Sequence, residues 1–382
     1  MVDTRVRPIA DGDVPGFLQL YRTHLGTIAS EIWDTDWFRW KYEENPNVRE
    51  TAVMVAEHDG QVVGGLGLMP TEMRFRDVSF VGVQPVDIVV HPDYRDANLF
   101  YELVDRGLSR FGTDDPWFVY GQPRAESLDA WTRLRGWEHV REVPRSWRIQ
   151  RIRAFVADML ESRSLAALAA LSQPFFSVSL ERPGSRHVPS ETRSTITEHS
   201  QPPVERLAGL YERRRPEGLH VVRDRAFYQW RMVDAPHAEY RTYLAERDGS
   251  LVGALTVSWW RSQNAVKIVD HLPLSPSSPD DVAVLRDLIA GAIRANADAS
   301  AIRASLCLPE EIVAEFGFDH TRKMNEFMGQ GWVPEQLTNA LPSWNIHLAG
   351  RPTDGADLSA DARAELVDWE SWQFTGIEID TD

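Results

Sequence analysis

Asp87 is a carboxylate inside an apolar run, Val86-Asp87-Ile88-Val89-Val90, which closes on His91-Pro92. Runs of this kind read as buried strands, where a charge is costly unless it is paired or used. Asp87 is therefore either a base that takes a proton in a reaction or half of a buried pair with an arginine. His91 carries an imidazole whose ordinary pKa of about 6.5 suits proton transfer near neutrality, although a His-Pro step at a strand end is equally turn architecture. Other chemistries have no motif behind them. No Gly-x-Ser-x-Gly turn presents a serine nucleophile, and no His-Glu-x-x-His pattern presents a zinc site. Cys307 is the only cysteine, which excludes internal disulfides and a multi-thiolate centre.

The elements that position these residues occur twice. Trp37-Phe38-Arg39-Trp40-Lys41 before Pro46 is echoed by Phe227-Tyr228-Gln229-Trp230-Arg231 before Pro236. Ala56-Glu57-His58-Asp59-Gly60 leading to Val63-Gly64-Gly65 is echoed by Ala245-Glu246-Arg247-Asp248-Gly249 leading to Val252-Gly253-Ala254. Gly136-Trp137-Glu138-His139 returns as Gly317-Phe318-Asp319-His320. Three echoes in one order argue for duplication of a whole domain rather than for a short solenoid repeat. Within the first copy, Val6 to Ile9 reads as a strand, and Asp13 is placed to cap a helix from Val14 to about His24. Asp59-Gly60 joins two apolar strands as a hairpin, Leu99 to Phe111 is helical, Trp117 to Tyr120 is a strand, a helix ends at Gly136, and Trp147 to Ile152 is a last strand. The dense aromatics at 37–40 and 227–230 suggest a helix packed on each sheet, or alternatively an aromatic wall of an acceptor site. The resulting division is 1–152, a connecting helix and linker over 153–200, 201–330, and a tail over 331–382 holding Trp344, Trp369 and Trp372 that is expected to dock on a domain surface.

Composition narrows the classes further. A chain of 382 residues with 43% apolar content can build two cores. Its formal charge is -16, and Lys41, Lys267 and Lys323 are its only lysines. Acid-rich, lysine-poor surfaces resemble those of proteins from organisms that keep molar salt in the cytoplasm, where a Debye length of about 3 Å screens carboxylate repulsion; an acidic protein from a high-GC genome is the plainer alternative. So acidic a chain is a poor partner for nucleic acid. The start lacks the apolar core of a signal peptide, and the most apolar stretch, Leu165 to Val178, is too short to span a bilayer. A cytoplasmic protein without membrane partners, monomeric or homodimeric, is expected.

Val86 to Arg95 followed by a helix resembles the acetyl-CoA segment of GNAT-type N-acetyltransferases, and the opening strand and helix, the Asp59-Gly60 hairpin and the Gly136-Trp137 close fall in matching places. The resemblance covers Arg5 to about Ile152 well and Val204 to Phe327 weakly. It implies an α/β (α+β) fold of two tandem domains, each a mixed, mainly antiparallel twisted sheet flanked by helices. It also implies acetyl-CoA as co-substrate, no metal, and a small-molecule amine, or a peptide, as acceptor. By the same resemblance Ile88, Val89 and Val90 would pair with pantetheine, and the turn Arg95-Asp96-Ala97-Asn98-Leu99-Phe100 would meet the pyrophosphate at a helix start. Arg124 would lie near the pantetheine arm, Asp87 would be the base, and His91 a second catalytic candidate.

The sequence departs from the family at several of these positions. Asp96 and Asn98 stand where glycines are usual, Arg124 where Asn is frequent, and Thr132 where a tyrosine often protonates the thiolate, leaving Tyr120, Tyr101 or water to replace it. Asn tolerates the left-handed geometry that the glycine supplies. In the second copy, Leu274-Ser275-Pro276-Ser277-Ser278-Pro279 follows the equivalent strand without an Arg-Gly pattern, so that copy is expected to be degenerate, walling the cleft or packing as a pseudo-dimer. The alternatives are a noncatalytic acyl-CoA-binding scaffold, suggested by Asp96, Asn98 and Thr132, and a Fem-like aminoacyl transferase.

Overall fold

The structure, a computed structural model, describes residues 4–24, 33–49, 52–110, 118–123, 125–134, 136–143, 145–151, 154–155, 188, 192–260, 264–305, 308–320, 347–352, 359–368 and 371–378. The first unit opens with β1 (Arg5–Pro8), α1 (Val14–His24) and α2 (Thr35–Tyr42), then β2 (Val53–His58), β3 (Gln61–Phe75) and β4 (Val78–Val90). A 3-10 turn, Pro92–Ala97, leads to α3 (Leu99–Leu108), β5 (Phe118–Gly121), α4 (Ala125–Thr132), β6 (Glu138–Glu142) and β7 (Arg145–Ile149). The second unit runs through β8 (Thr195–His199), α5 (Val204–Arg213), β9 (His220–Val221), α6 (Arg225–Tyr228) and β10 (Tyr240–Arg247). It continues through β11 (Ser250–Trp260), β12 (Ala265–Leu272), α7 (Pro279–Ala295), β13 (Ala301–Ser305), α8 (Glu310–Glu315) and β14 (Asp319–His320), and β15 (His347–Pro352) and α9 (Ala360–Leu366) follow.

Local chemistry explains most of these bounds. Phe17, Leu18, Leu20 and Tyr21 give α1 one buried face. Asp59-Gly60 and Asp248-Gly249 both carry two successive positive φ angles, 49° and 77° in the first and 49° and 74° in the second. This is the primed turn whose twist matches an antiparallel hairpin. Asp13 does not cap α1. Its carboxylate accepts the Ala10 N–H and two hydrogen bonds from Arg7, closing the preceding 3-10 turn.

Two mixed sheets result, in the order β1-β2-β3-β4-β5-β15-β6 and β14-β7-β13-β12-β11-β10-β8, with β9 beside β3. Every pairing is antiparallel except β4 with β5 and β12 with β13. The chain exchanges strands between the sheets. β7, expected to close the first sheet, pairs instead with β13 and β14, and β15 from the tail region enters the first sheet between β5 and β6. β6 ends at Glu142 in the first sheet and β7 begins at Arg145 in the second. Thr195–His199, within the expected linker, is an edge strand on β10 whose Ile196 packs over Gly291. Most of the expected connecting helix, and Trp344 and Trp369, lie outside the described residues. Trp372 docks as expected and is buried.

The duplicated aromatic helices meet at the centre. The Trp40 indole N–H donates to the Trp230 carbonyl, and the Trp230 indole N–H donates to the Trp40 carbonyl, each at 2.8 Å. The rings lie 5.3 Å apart at 21°. Equivalent residues bonding each other reciprocally make a local pseudo-two-fold. One apolar core passes through both units, from Phe17 and Phe38 to Leu207, Tyr211 and Phe227, while α3 and α7 cover the outer faces of the two sheets. Among the described residues no helix is long and apolar enough to cross a membrane.

Candidate active site

Among the described residues β4 and β5 pair only at Gly82 with Phe118 and Val83 with Val119. Beyond Val83 the strands part, so the β5-side edge of β4 from Gln84 to Val90 is not used by the sheet. On its other side β4 follows β3 until the register shifts between Gly65 and Gly67, opposite Asp87. A bulge places two successive residues on one face. Val86 and Asp87 therefore both face the shared core, and Asp87 takes φ 52°.

Three donors converge on the Asp87 carboxylate. Lys41 Nζ stands 2.6 Å from Oδ2, the Tyr42 hydroxyl donates to the same oxygen, and the Tyr21 hydroxyl donates to Oδ1. The ammonium also lies 4.9 Å above the Trp37 ring. Lys41 and Asp87 side chains are 2% and 5% exposed. Asp87 is thus a buried paired carboxylate, and its partner is a lysine. The arginine version occurs in the second copy, where Asp270 accepts from Arg223 at 3.2 Å, Tyr228 at 3.1 Å and Thr375 at 2.9 Å.

Gly67 makes this convergence possible, since a Cβ there would lie 2.1 Å from the Tyr42 hydroxyl. Gly67→Ala is expected to push Tyr42 off Asp87 and destabilise the protein by about 1–3 kcal/mol, the usual cost of overpacking. Urea unfolding checks it, and an unchanged midpoint would mean that the ring moves aside freely.

At the end of β4 the His91 N–H donates to the Val63 carbonyl, and His91 Nδ1 accepts the Asp93 N–H at 3.3 Å. With Nδ1 so engaged, neutral His91 carries its proton on Nε2. Arg95, Asp96 and Ala97 complete the 3-10 turn, with Arg95 exposed. Asn98 takes φ 57°, ψ 19°, the left-handed geometry that the usual glycine would supply. Leu99 starts α3 and is fully buried, and Phe100 meets Trp131 edge-on at 5.5 Å. The first N–H groups of α3 have no intrahelical acceptor and, with the helix dipole, could hold an anion. Ile88 packs toward Trp131 and Trp137, Val89 joins the shared core, and Val90 packs on the α3 side. Arg124 lies outside the described residues.

Thr132 is spent within its own helix, donating to the Leu128 and Asp129 carbonyls. Tyr120 is fully buried with its hydroxyl 3.4 Å from Thr71 Oγ1, and the Tyr101 ring leans on Phe100. His24, at the end of α1, stands edge-on to His91 with ring centroids 5.0 Å apart. Burial first, with the neighbouring His91 and Arg95, holds its pKa below the usual histidine value. Sequence reasoning missed His24, Tyr21, Lys41 and Tyr42 as neighbours of the site. The rarity of lysine was the one signal that pointed at Lys41.

In the second copy the corresponding strand is covered. β12 stays paired to β13 through Ile268 with Ala304. Gly376 then sits so close that a Cβ would meet the Ile268 carbonyl at 3.0 Å, with the Ile377 carbonyl accepting from Arg231 at 3.2 Å. The chain's own C-terminal region therefore occupies the strand that its counterpart leaves open. Among the described residues no group of three His, Cys, Asp or Glu side chains is arranged for a metal ion.

Comparison with known proteins agrees with this geometry. The family described as "Acetyltransferase (GNAT) domain" matches residues 5–140. A GCN5-related N-acetyltransferase from Anabaena variabilis is similar in structure at 12% identity and TM-score 0.57, over 92% of this chain and 73% of that one. One from Kribbella flavida gives 15% identity and TM-score 0.55, over 92% and 72%. Saccharomyces cerevisiae N-myristoyltransferase with bound myristoyl-CoA gives 10% identity and TM-score 0.57, over 92% and 83%. At these identities the likeness is one of fold. A search of curated proteins finds no match.

Proposed function

We propose that the protein transfers acetyl from acetyl-CoA to the amine of a small molecule, a reading supported by the match of residues 5–140 to the acetyltransferase (GNAT) domain family. The observation that carries the reading is the parting of β4 from β5 beyond Val83, which ends in the left-handed turn at Asn98 and the start of α3. An open strand edge supplies partners for the pantetheine amides, and the helix start supplies N–H groups for the pyrophosphate.

The reaction is a direct displacement. The amine lone pair attacks the thioester carbonyl carbon, a C–N bond forms, and the C–S bond breaks. One proton leaves nitrogen and one is taken up by the departing thiolate. Backbone N–H groups around Val89 and Val90 hold the carbonyl oxygen as charge develops on it. Asp87 acts by position: with three donors on it, the carboxylate anchors the bulge that aims those groups, and it would have to give up a donor to take a substrate proton. His24, beside His91 at the end of α1, receives the amine proton through water. The thiolate is protonated from solvent, which needs no tyrosine at Thr132.

Calorimetric titration with CoA, followed by turnover on an amine panel, tests the reading. One saturable site per chain is expected. kcat/KM should rise with pH through the lowered pKa of His24, and His24→Gln should remove that limb. CoA binding without turnover of any amine would favour a noncatalytic acyl-CoA-binding protein, and no CoA binding by folded protein would overturn both.

A further inference from the structure

The residues around His24 describe the amine that this site would take. Tyr21 lies three residues before it on α1, about 4.5 Å along the helix axis, and meets the Trp33 ring edge-on with centroids 4.6 Å apart. Tyr21 also stacks on Trp37 at 5.7 Å and donates to Asp87, so one side chain links the Trp33 ring to the bulge of β4. Trp33 is 8% exposed, and its indole N–H has no hydrogen-bond partner among the described residues. A buried donor left unsatisfied costs free energy that an acceptor atom of a ligand would restore.

A cation stands beside that ring. Arg22 follows Tyr21 on α1, and its Nε donates to the Trp33 carbonyl at 2.8 Å. Among the described residues no carboxylate pairs with Arg22, in a chain whose formal charge is -16 and whose Arg7, Arg106, Arg214 and Arg247 all face carboxylates. With Nε on the carbonyl, the two Nη groups remain to meet a planar anion in the fork geometry that guanidinium and carboxylate share. The acids next to this group are already engaged. Asp34 accepts the Trp37 N–H at 2.8 Å and pairs with His237 at 2.9 Å, and Asp87 is held by Lys41 at 2.6 Å.

We infer that Arg22 and the Trp33 indole N–H take a carboxylate of the acceptor, so that the substrate class is an amino acid, with the amine to be acetylated a few bonds from the carboxylate. The inference rests on the acetyl-transfer reading of the first unit, in which His24 receives the amine proton. The spacing fits that class, because His24 and the contact of Tyr21 with Trp33 lie within one helical turn of each other. Holding the charged end of the acceptor fixes where its amine sits without any bond to the amine itself. Arg22 and Trp33 thus determine specificity, and His24 keeps the proton.

A matched amine panel on the full chain tests it, after calorimetry with free CoA, which reports the underlying reading. Failure of folded protein to bind CoA would overturn that reading and the inference with it. With CoA binding shown, glycine, β-alanine and the common L-amino acids are compared as acceptors with their amides, which keep the amine and remove the charge. kcat/KM is expected to favour the carboxylates by about tenfold or more. The amides carry the less basic amine, so amine basicity works against this preference. Equal rates, or no turnover in either series, would overturn the inference, and turnover of the amides alone would leave acetyl transfer standing without it. Arg22→Gln keeps a donor for the Trp33 carbonyl and loses the charge. It should raise KM for the carboxylates about tenfold while kcat/KM for the amides stays within about twofold. Arg22→Lys should recover part of the loss. Trp33→Phe, which keeps a ring against Tyr21, should weaken the preference about threefold. An equal fall in both series, in whichever variant folds, would make these residues supports of the α1–α2 corner and overturn their assignment.

Discussion

Lys41→Met is expected to destabilise the protein by about 3–5 kcal/mol, the usual result of removing one partner from a buried ion pair. The ammonium and the Asp87 carboxylate are 2.6 Å apart and almost wholly shielded from water. Without the ammonium, Asp87 keeps the Tyr21 and Tyr42 hydroxyls and loses the opposite charge 2.6 Å away, and the hydroxyls that remain set the loss toward the lower end of that range. Methionine retains much of the apolar stem that packs beside Trp37, so the effect reports charge more than volume. The double variant Lys41→Met with Asp87→Asn removes both charges and should recover at least half of the loss. Urea unfolding of the two single variants and the double variant measures the coupling. A loss below about 1 kcal/mol for Lys41→Met would put the pair in the range of solvated surface bridges and contradict its burial. On the proposed function, acyl transfer should fall with stability, because the bulge that Asp87 anchors would aim the backbone at the thioester.

Stability should also fall by about 3 kcal/mol between pH 6.5 and pH 4 on account of His220. Its ring is fully buried; Nδ1 stands 2.6 Å from the Gly218 carbonyl and Nε2 2.9 Å from the Tyr211 hydroxyl. Nδ1 therefore carries the proton and Nε2 accepts from the tyrosine, which satisfies the neutral ring completely. Burial, above all, pushes its pKa down to about 4, partly opposed by the Gly218 carbonyl and assisted by the charge of Arg223. Because the folded value lies below the unfolded one, the unfolded chain binds the extra proton throughout this window. Stability thus rises with pH there and is lost on acidification. His271, also buried with a lowered pKa, acts in the same direction. The difference between wild type and His220→Gln isolates one contribution from the other. If denaturant unfolding shows equal pH slopes for the two proteins, His220 titrates as an ordinary exposed histidine.

Much of the site's scaffold was legible in residue order. The two Asp-Gly turns, the bounds of α1 and the aromatic helices at 37–40 and 227–230 follow from local preference and spacing, because such features involve residues a few positions apart. Asn98 was also readable: few side chains tolerate a left-handed turn, and the structure gives it φ 57°. Asp87 could be singled out as a charge in an apolar strand, but its partner could not. Asp87 was read either as a base or as half of a pair with an arginine; the structure supplies Lys41 to it and an arginine to Asp270. The partner lies 46 residues away on a helix, and only the packing of α2 across the sheet brings it there.

The sequence by itself determined that three local patterns recur in one order, that the strand at 86–90 runs into Arg95-Asp96-Ala97-Asn98, and that its counterpart runs into Pro276 and Pro279 instead. These are properties of local order, and repetition preserves local order. The tertiary structure alone decided that β7 crosses to the second sheet, that β15 fills the first, and that Trp372 and Phe374 close the space behind Tyr120. A strand's alternation specifies which of its faces is buried without naming the strand it pairs with. That choice is made by which unpaired edges and apolar faces remain when both sheets assemble, and it depends on the whole chain at once.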